Sequence, residues 1–279
     1  LLSAKQLEQC TAKPSWQQVW GLVAADIQTI CTDVTQFLPI PPRDLERLLL
    51  LHLPRFEAND IQRTSTIRSE AVRLLEEALL RRRNYEGWAK YDKITEFVKH
   101  DLSAIECSDE TAQVIYERFH YIGGCRKGIV HLGLYHQSHP DVPMALMTLS
   151  EMDIVHLRGA IGLDGLTSLV VSRSFAFDWA PRNSLSFLTS RVRQWLRNNI
   201  PEVGLLLTYV NPNLGFRGTS YDASGWWEFG SKDTIYRYLR DKYLSYRMML
   251  ELTPEEQQHT TTSRVQLAPL RILATKVKR

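Results

Sequence analysis

The sequence predicts a mixed α/β protein: a central mixed sheet flanked by helices, preceded by a mostly helical N-terminal region. Three observations carry that expectation. Apolar residues recur at helical spacing through the first hundred positions. After Asp101 short β-rich runs alternate with amphipathic stretches. Strand-helix-strand units there require crossover connections, which place helices on the faces of a sheet. The 279 residues, 44% hydrophobic and 23% charged, suit one large domain or two modest ones. The expected division is a helical region over 1–105, an α/β domain over 106–250 and a tail over 251–279.

Each element has its own signal. Trp16, Val19, Trp20 and Val23, then Ile27 and Ile30, form the stripe of a first helix. Pro39, Pro41 and Pro42 break it, and a second helix starts at Arg43-Asp44, next to a proline suited to a first turn. A third spans Ser65 to Tyr85 with Ile67, Val72, Leu75 and Leu79 inward. Ser108-Asp109-Glu110 caps a helix reaching Phe119, with Val114, Ile115 and Phe119 inward. Strands follow over 128–135 and 143–149 around a turn at His136 to Pro140, and a third over Thr167 to Ser172. A helix from Ser184 to Asn198 packs Leu185, Leu188, Val192, Trp195 and Leu196 on the sheet and leaves Arg191, Arg193 and Arg197 outside. Leu205 to Val210 is an apolar strand, and Trp226 to Gly230 a short one. The tail from Arg264 to Arg279 alternates apolar and basic residues, as a late strand or a phosphate contact would.

Bulk properties exclude several classes. A formal charge of +3 does not by itself announce nucleic-acid binding. Cys10, Cys31, Cys107 and Cys125 lack ligand spacing, so neither a zinc site nor a disulfide framework is expected, and free thiols suit the cytoplasm. His131, His136, His139 and His156 form no metal pattern. No apolar run nears the ~20 residues that span a bilayer. No secretory signal is seen, and the chain opens on Leu1-Leu2 rather than Met, so an upstream start is expected.

The chemistry concentrates in two segments. Leu205 to Gly230 reads LLLTYVNPNLGFRGTSYDASGWWEFG: an apolar strand ending in Asn211, a loop, Tyr221 on a short helix, then an aromatic strand after Gly225. Ser172 to Ser184 is a strand-to-helix loop, whose helix N-terminus offers backbone N–H groups to an anion. Arg173, Arg182, Asn183 and Ser184 sit in it, with Asp178-Trp179 between. The first segment resembles the distal motif of GNAT-fold acyltransferases. That resemblance implies an acyl-CoA donor lying where two strands splay, and Tyr221 as the acid for the leaving thiolate. The usual glycine cradle for the donor pyrophosphate is missing from the second segment.

The narrower resemblance is to Mom-type proteins, which modify adenine in DNA. It rests on His120-Tyr121-Ile122-Gly123, Arg173 with Asp178-Trp179 and Asn183-Ser184, Asn211-Pro212, Gly215-Phe216-Arg217-Gly218, Tyr221 and Gly225-Trp226. Gly218-Thr219-Ser220-Tyr221 also resembles DruA-like anti-phage proteins. Two positions depart from the Mom pattern: Asn211 stands for an Asp and Phe216 for a His. The resemblance implies His120 or Asp178 as base, with Arg173, Asn183, Ser184 and Asn211 around the donor. Arg81, Arg82, Arg83, Arg182, Arg217 and Trp226 are the expected nucleic-acid contacts, with Trp179 and Trp226 placed to stack on a flipped base. DNA is the expected partner, with a further protein or a second copy of the chain as additional ones. The rival readings are a non-catalytic nucleic-acid-binding subunit of a phage-defence system, and an acyltransferase for a protein or small molecule.

Overall fold

Helices form where the apolar spacing predicts them. The computed structural model describes residues 13–151 and 167–277; Cys10, His156, Lys278 and Arg279 lie outside the described residues. Helix α1 (Trp16–Thr35) buries Trp16, Val19, Val23, Ile27 and Ile30 along one face. Helix α2 (Pro42–His52) carries Pro42 in its first turn, where the missing N–H leaves no bond unmade. Helix α3 (Thr64–Arg82) buries Ile67, Ala71, Leu74 and Ala78, a run at i, i+4, i+7 and i+11. Val72, expected inside, is exposed. Two alanines carry that stripe, and alanine gives a weak hydrophobic signal.

The α/β part begins with a strand the sequence did not suggest, β1 (Leu102–Glu106). Helix α4 (Asp109–Arg118) follows, its N-cap Ser108 accepting from the Thr111 N–H. Then come β2 (Val130–His136), β3 (Ala145–Glu151), β4 (Thr167–Ala176), α5 (Ser184–Asn199), β5 (Val203–Val210), the short α6 (Thr219–Asp222) and β6 (Trp227–Lys232). Three short strands, β7 (Arg237–Leu239), β8 (Lys242–Leu244) and β9 (Thr260–Thr262), precede β10 (Leu270–Lys276). The large sheet has the order β1-β2-β3-β4-β5-β10-β6. Its β4–β5 pair is parallel and its other pairs are antiparallel. β7, β8 and β9 form a separate sheet.

Helices cover both faces of the large sheet. Met147 and Thr148 are neighbours on β3, so their side chains point to opposite faces. Thr148 Oγ1 donates to Tyr116 Oη of α4 at 3.0 Å, while Thr189 Oγ1 of α5 donates to Met147 Sδ at 3.8 Å. Arg193 and Arg197 of α5, expected on its outer rim, hold β10 instead, donating to Thr275 Oγ1 and to the Val277 carbonyl. Among the described residues no helix is long and apolar enough to cross a membrane.

Contacts divide the chain into two compact units: Leu1–Leu79 with Pro212–Gly215 and Asp233–Pro269, and Leu80–Asn211 with Phe216–Lys232 and Leu270–Arg279. This partition differs from the linear boundaries at 105 and 250. The strands after residue 232 join the first unit, and β10 then returns to the second. Composition along the chain carries no trace of such a return.

The first unit is organised around a buried carboxylate. Glu70 accepts two hydrogen bonds each from Arg55 (2.5 and 2.9 Å) and Arg73 (2.6 and 3.0 Å). Beside it lies buried His52, whose Nδ1 is 3.1 Å from the Asp241 carbonyl. Burial lowers the His52 pKa to about 4, against the opposing pull of Glu70. In the unfolded chain the imidazole takes its proton near pH 6.5, and in the folded one only near 4. The sign follows: this contribution to stability is complete above pH 6.5 and is lost as pH falls toward 4. Urea midpoints are expected to drop across that window, and His52→Asn should flatten the drop.

Candidate active site

A bulge in β4 sets up the site. Leu149 pairs with Val171 and Thr148 with Arg173, so Ser172 is an extra residue on β4. Such an insertion bends the strand and re-aims its side chains. Pairing between β4 and β5 runs to Val171 and Thr208 and stops there. Beyond the bulge β4 stays with β3 as far as Ala176, while β5 stays with β10 as far as Val210. The two parallel neighbours therefore part in the middle of the sheet.

Tyr221 sits at that parting. Its phenol oxygen accepts from Thr208 Oγ1 of β5 at 3.5 Å and is also hydrogen-bonded to Ser174 of β4. Burial raises its pKa above the usual tyrosine value, and the Thr208 and Ser174 hydroxyls offset part of the rise. The group thus holds its proton at neutral pH. Thr208 Oγ1 also donates to the Val171 carbonyl at 3.3 Å, so one hydroxyl proton serves two acceptors.

The short helix is fixed from two sides. Ser186 Oγ of α5 donates to the Ser220 carbonyl (3.1 Å), and Ser224 Oγ donates to the same carbonyl (2.7 Å). Gly218 enters α6 with φ +80°, and a Cβ there would meet Leu273 Cδ1 at 3.2 Å and Val210 Cγ2 at 3.4 Å. Gly218→Ala is expected to cost about 1–2 kcal/mol from the left-handed backbone alone. It should also lower turnover more than donor binding, because α6 carries Tyr221. Steady-state rates beside a thermal melt separate the two effects.

Trp226 packs edge-on against Tyr221, ring centroids 4.9 Å apart, and is only 6% exposed. Its Nε1–H has no hydrogen-bond partner among the described residues. Trp179 is likewise buried, its Nε1–H donating to the Trp88 carbonyl. Neither indole presents a face to solvent, which corrects the expectation that both stack on a base. Sequence alone does not tell a buried tryptophan from a presented one. Tyr121 and Phe216 form a separate aromatic pair, centroids 5.6 Å apart and both half-buried.

His120 is buried against Tyr116 and Phe175 and stacks on Tyr121 at 4.3 Å. The Ile122 N–H donates to its Nδ1 at 3.2 Å, which puts the proton of the neutral ring on Nε2. Asp178 is exposed in the turn after β4, between buried Phe177 and Trp179. Arg173 lies in register with Thr148, on the α4 side of the sheet, and donates to the Gly124 (3.2 Å) and Ser172 (2.7 Å) carbonyls.

The start of α5 belongs to the other side. Asn183 is in the left-handed region, φ +70°, so a residue that tolerates this conformation stands where a glycine would serve. Ser184 is buried and its Oγ donates to the Pro181 carbonyl at 2.6 Å. The expected donor-binding set is therefore split between faces, with Arg173 on one and Asn183 and Ser184 on the other. Asn211 follows β5 directly and is half-buried.

The triple arginine also divides. Arg82 is 4% exposed and donates to the Arg118 and Phe119 carbonyls, closing the end of α4. It serves the fold, correcting its expected role at a phosphate, because buried arginine matches orphan helix carbonyls well. The Arg81 guanidinium lies where a Cβ on Gly123 would be, 2.6 Å away, and Gly123 has φ +65°. Arg83, Arg182 and Arg217 are exposed. Ser174, Thr208 and Ser186, which position the phenol, were not singled out for that task. Thr208 is one of two hydroxyl-bearing residues, with Tyr209, in an otherwise apolar strand. Among the described residues no three His, Cys, Asp or Glu side chains gather as metal ligands.

Comparison with known proteins returns a family and a set of folds. The model of the Mom protein family matches residues 101–279. No curated protein matches the chain. Among solved structures the chain is similar to an N-acetyltransferase from Staphylococcus aureus Mu50, at 12% identity and TM-score 0.36, over 64% of this chain and 99% of that one. It is similar to an aminoglycoside N(6')acetyltransferase from Legionella pneumophila at 9% identity and TM-score 0.37, over 66% and 95%. A spermidine N-acetyltransferase from Vibrio cholerae, in complex with CoA and spermine, matches at 7% identity and TM-score 0.38, over 64% and 96%.

Proposed function

The chain belongs to the Mom protein family, and from that we propose that it is a GNAT-type transferase acting on the exocyclic amine of adenine in DNA. The observation that carries the chemistry is Tyr221, its phenol protonated and half-buried where β4 and β5 part. An acyl-CoA donor fits the residues at this place. A buried N–H without an acceptor costs about 1–3 kcal/mol, and the indole N–H of Trp226 beside Tyr221 is such a group. A donor carbonyl or amide oxygen would satisfy it. The left-handed turn at Asn183 leaves the α5 N-terminus as the backbone anion site, without help from the Ser184 hydroxyl or from Arg173.

In this reading the adenine amine attacks the thioester carbon, a C–N bond forms and the C–S bond breaks. Tyr221 gives its proton to the departing sulfur, and the amine proton passes to solvent or to the exposed Asp178 carboxylate. His120 positions the acceptor side: with Nδ1 holding the Ile122 N–H, it orients Tyr121 rather than removing a proton. Tyr121 and Phe216 take the stacking role first given to the tryptophans. Arg83, Arg182 and Arg217 are left as phosphate contacts. Nucleoside mass spectrometry of DNA and RNA from cells expressing the chain tests the whole reading. A new adenosine-derived mass in DNA supports it. An unmodified digest from folded, DNA-binding protein favours the non-catalytic subunit instead, which Asn211 and Phe216 at the departing positions also favour.

A further inference from the structure

The first unit carries a cationic feature that the transfer site does not use. β7 and β8 pair as Arg237 with Leu244, Tyr238 with Tyr243 and Leu239 with Lys242, leaving Arg240 and Asp241 as a two-residue turn. The hairpin is anchored from below: buried Tyr238 donates through Oη to the Leu51 carbonyl at 2.9 Å, and the Asp241 carbonyl lies 3.1 Å from His52 Nδ1. On this fixed base Arg237, Arg240 and Lys242 are all exposed. The acid in the turn, Asp241, interacts with Arg73 on α3, and β9, paired with β7, is three threonines. On the hairpin itself the three cations outnumber the single carboxylate of Asp241.

Arg240 adds a second observation. It has φ +55°, a conformation in which glycine or asparagine is at ease and a long side chain is strained. A glycine would make the same turn with less strain, so what the arginine contributes is its guanidinium at the tip. We propose that this hairpin is a DNA-backbone contact distinct from the transfer site, in which Arg237, Arg240 and Lys242 each meet a phosphate. The proposal rests on the reading above that DNA is the substrate. Long cations on a rigid hairpin, with threonine hydroxyls on the adjoining strand, are the side chains that hold phosphate oxygens without reading sequence.

The test measures binding of the full chain to a short fluorescein-labelled DNA duplex at several salt concentrations. Each neutralised phosphate contributes about 0.9 to the slope of log affinity against log salt. Replacing Arg237, Arg240 and Lys242 together by alanine should flatten that slope by about 2 to 3 and weaken binding about tenfold or more at low salt. Arg240→Gly alone should raise the melting temperature and still flatten the slope by about 1. This single variant decides the matter if the triple one fails to fold. A wild-type slope in both variants overturns the hairpin proposal and leaves the function reading standing. No duplex binding by the wild-type chain overturns both.

Discussion

Tyr221→Phe lowers the rate of base modification by about 10²–10⁴-fold, the range that loss of a placed general acid produces. The substitution removes one oxygen and leaves the ring on Trp226, so α6 keeps its packing. Donor affinity should therefore stay within a small factor of wild type, and the loss should appear in turnover. Leaving-group dependence sharpens the test. A donor whose thiol is more acidic needs less help from a proton, so the variant should recover most on such donors. A Tyr221 that is only structural would show the same deficit with every donor. The pH profile gives a separate check, with its sign set by burial. Burial pushes the folded phenol above the usual tyrosine value, so any alkaline loss from this group should set in at higher pH than for an ordinary tyrosine. Should Tyr221→Phe retain full turnover with every donor, the acid is another group and the reading of the strand opening as the reaction centre fails.

Much of this site was legible because its parts are local. Asn211 ending an apolar strand, Tyr221 after a glycine-rich turn and Gly225 before an aromatic strand all fall within one stretch, and each has the secondary structure expected of it. Thr208 was read only as part of an apolar strand, and its hydroxyl gains a role from the partner it meets on α6. What the chain did not announce is pairwise. The extra residue at Ser172 exists only relative to β3, and no property of β4 alone marks it. β10 has the alternation of a strand, yet its insertion between β5 and β6 depends on partners some 60 and 40 positions earlier. Arg81, Arg82 and Arg83 look alike in sequence, and their separation into a glycine contact, a helix cap and an exposed cation follows from helix phase and from what α4 presents. Phase also misled for α3, where Val72 was favoured over Leu74 because two alanines blurred the stripe.

Glu70→Ala is expected to destabilise the first unit by about 3 kcal/mol or more, the scale of breaking a buried ion pair from one side. The magnitude follows from what remains. Burial alone would raise the Glu70 pKa, but hydrogen bonds from Arg73 and Arg55 outweigh it and hold the carboxyl below its ordinary value. Without the carboxylate two guanidiniums would face each other across a space closed to water on the Glu70 side. Both arginines retain some exposure, Arg73 more than Arg55, which keeps the cost at the lower end of that range. The exposed pair of Arg68 with Asp33, 3.6 Å apart, is the internal control: Asp33→Ala should change stability by less than about 1 kcal/mol. Urea unfolding of both variants makes the comparison. Replacing Glu70, Arg55 and Arg73 together by apolar residues of similar volume should recover most of the loss, since a buried charge cluster is costly mainly when it is incomplete. An equal, small effect for Glu70→Ala and Asp33→Ala would mean that water reaches the carboxylate, and that the hydrophobic faces of α1, α2 and α3 alone hold this unit together.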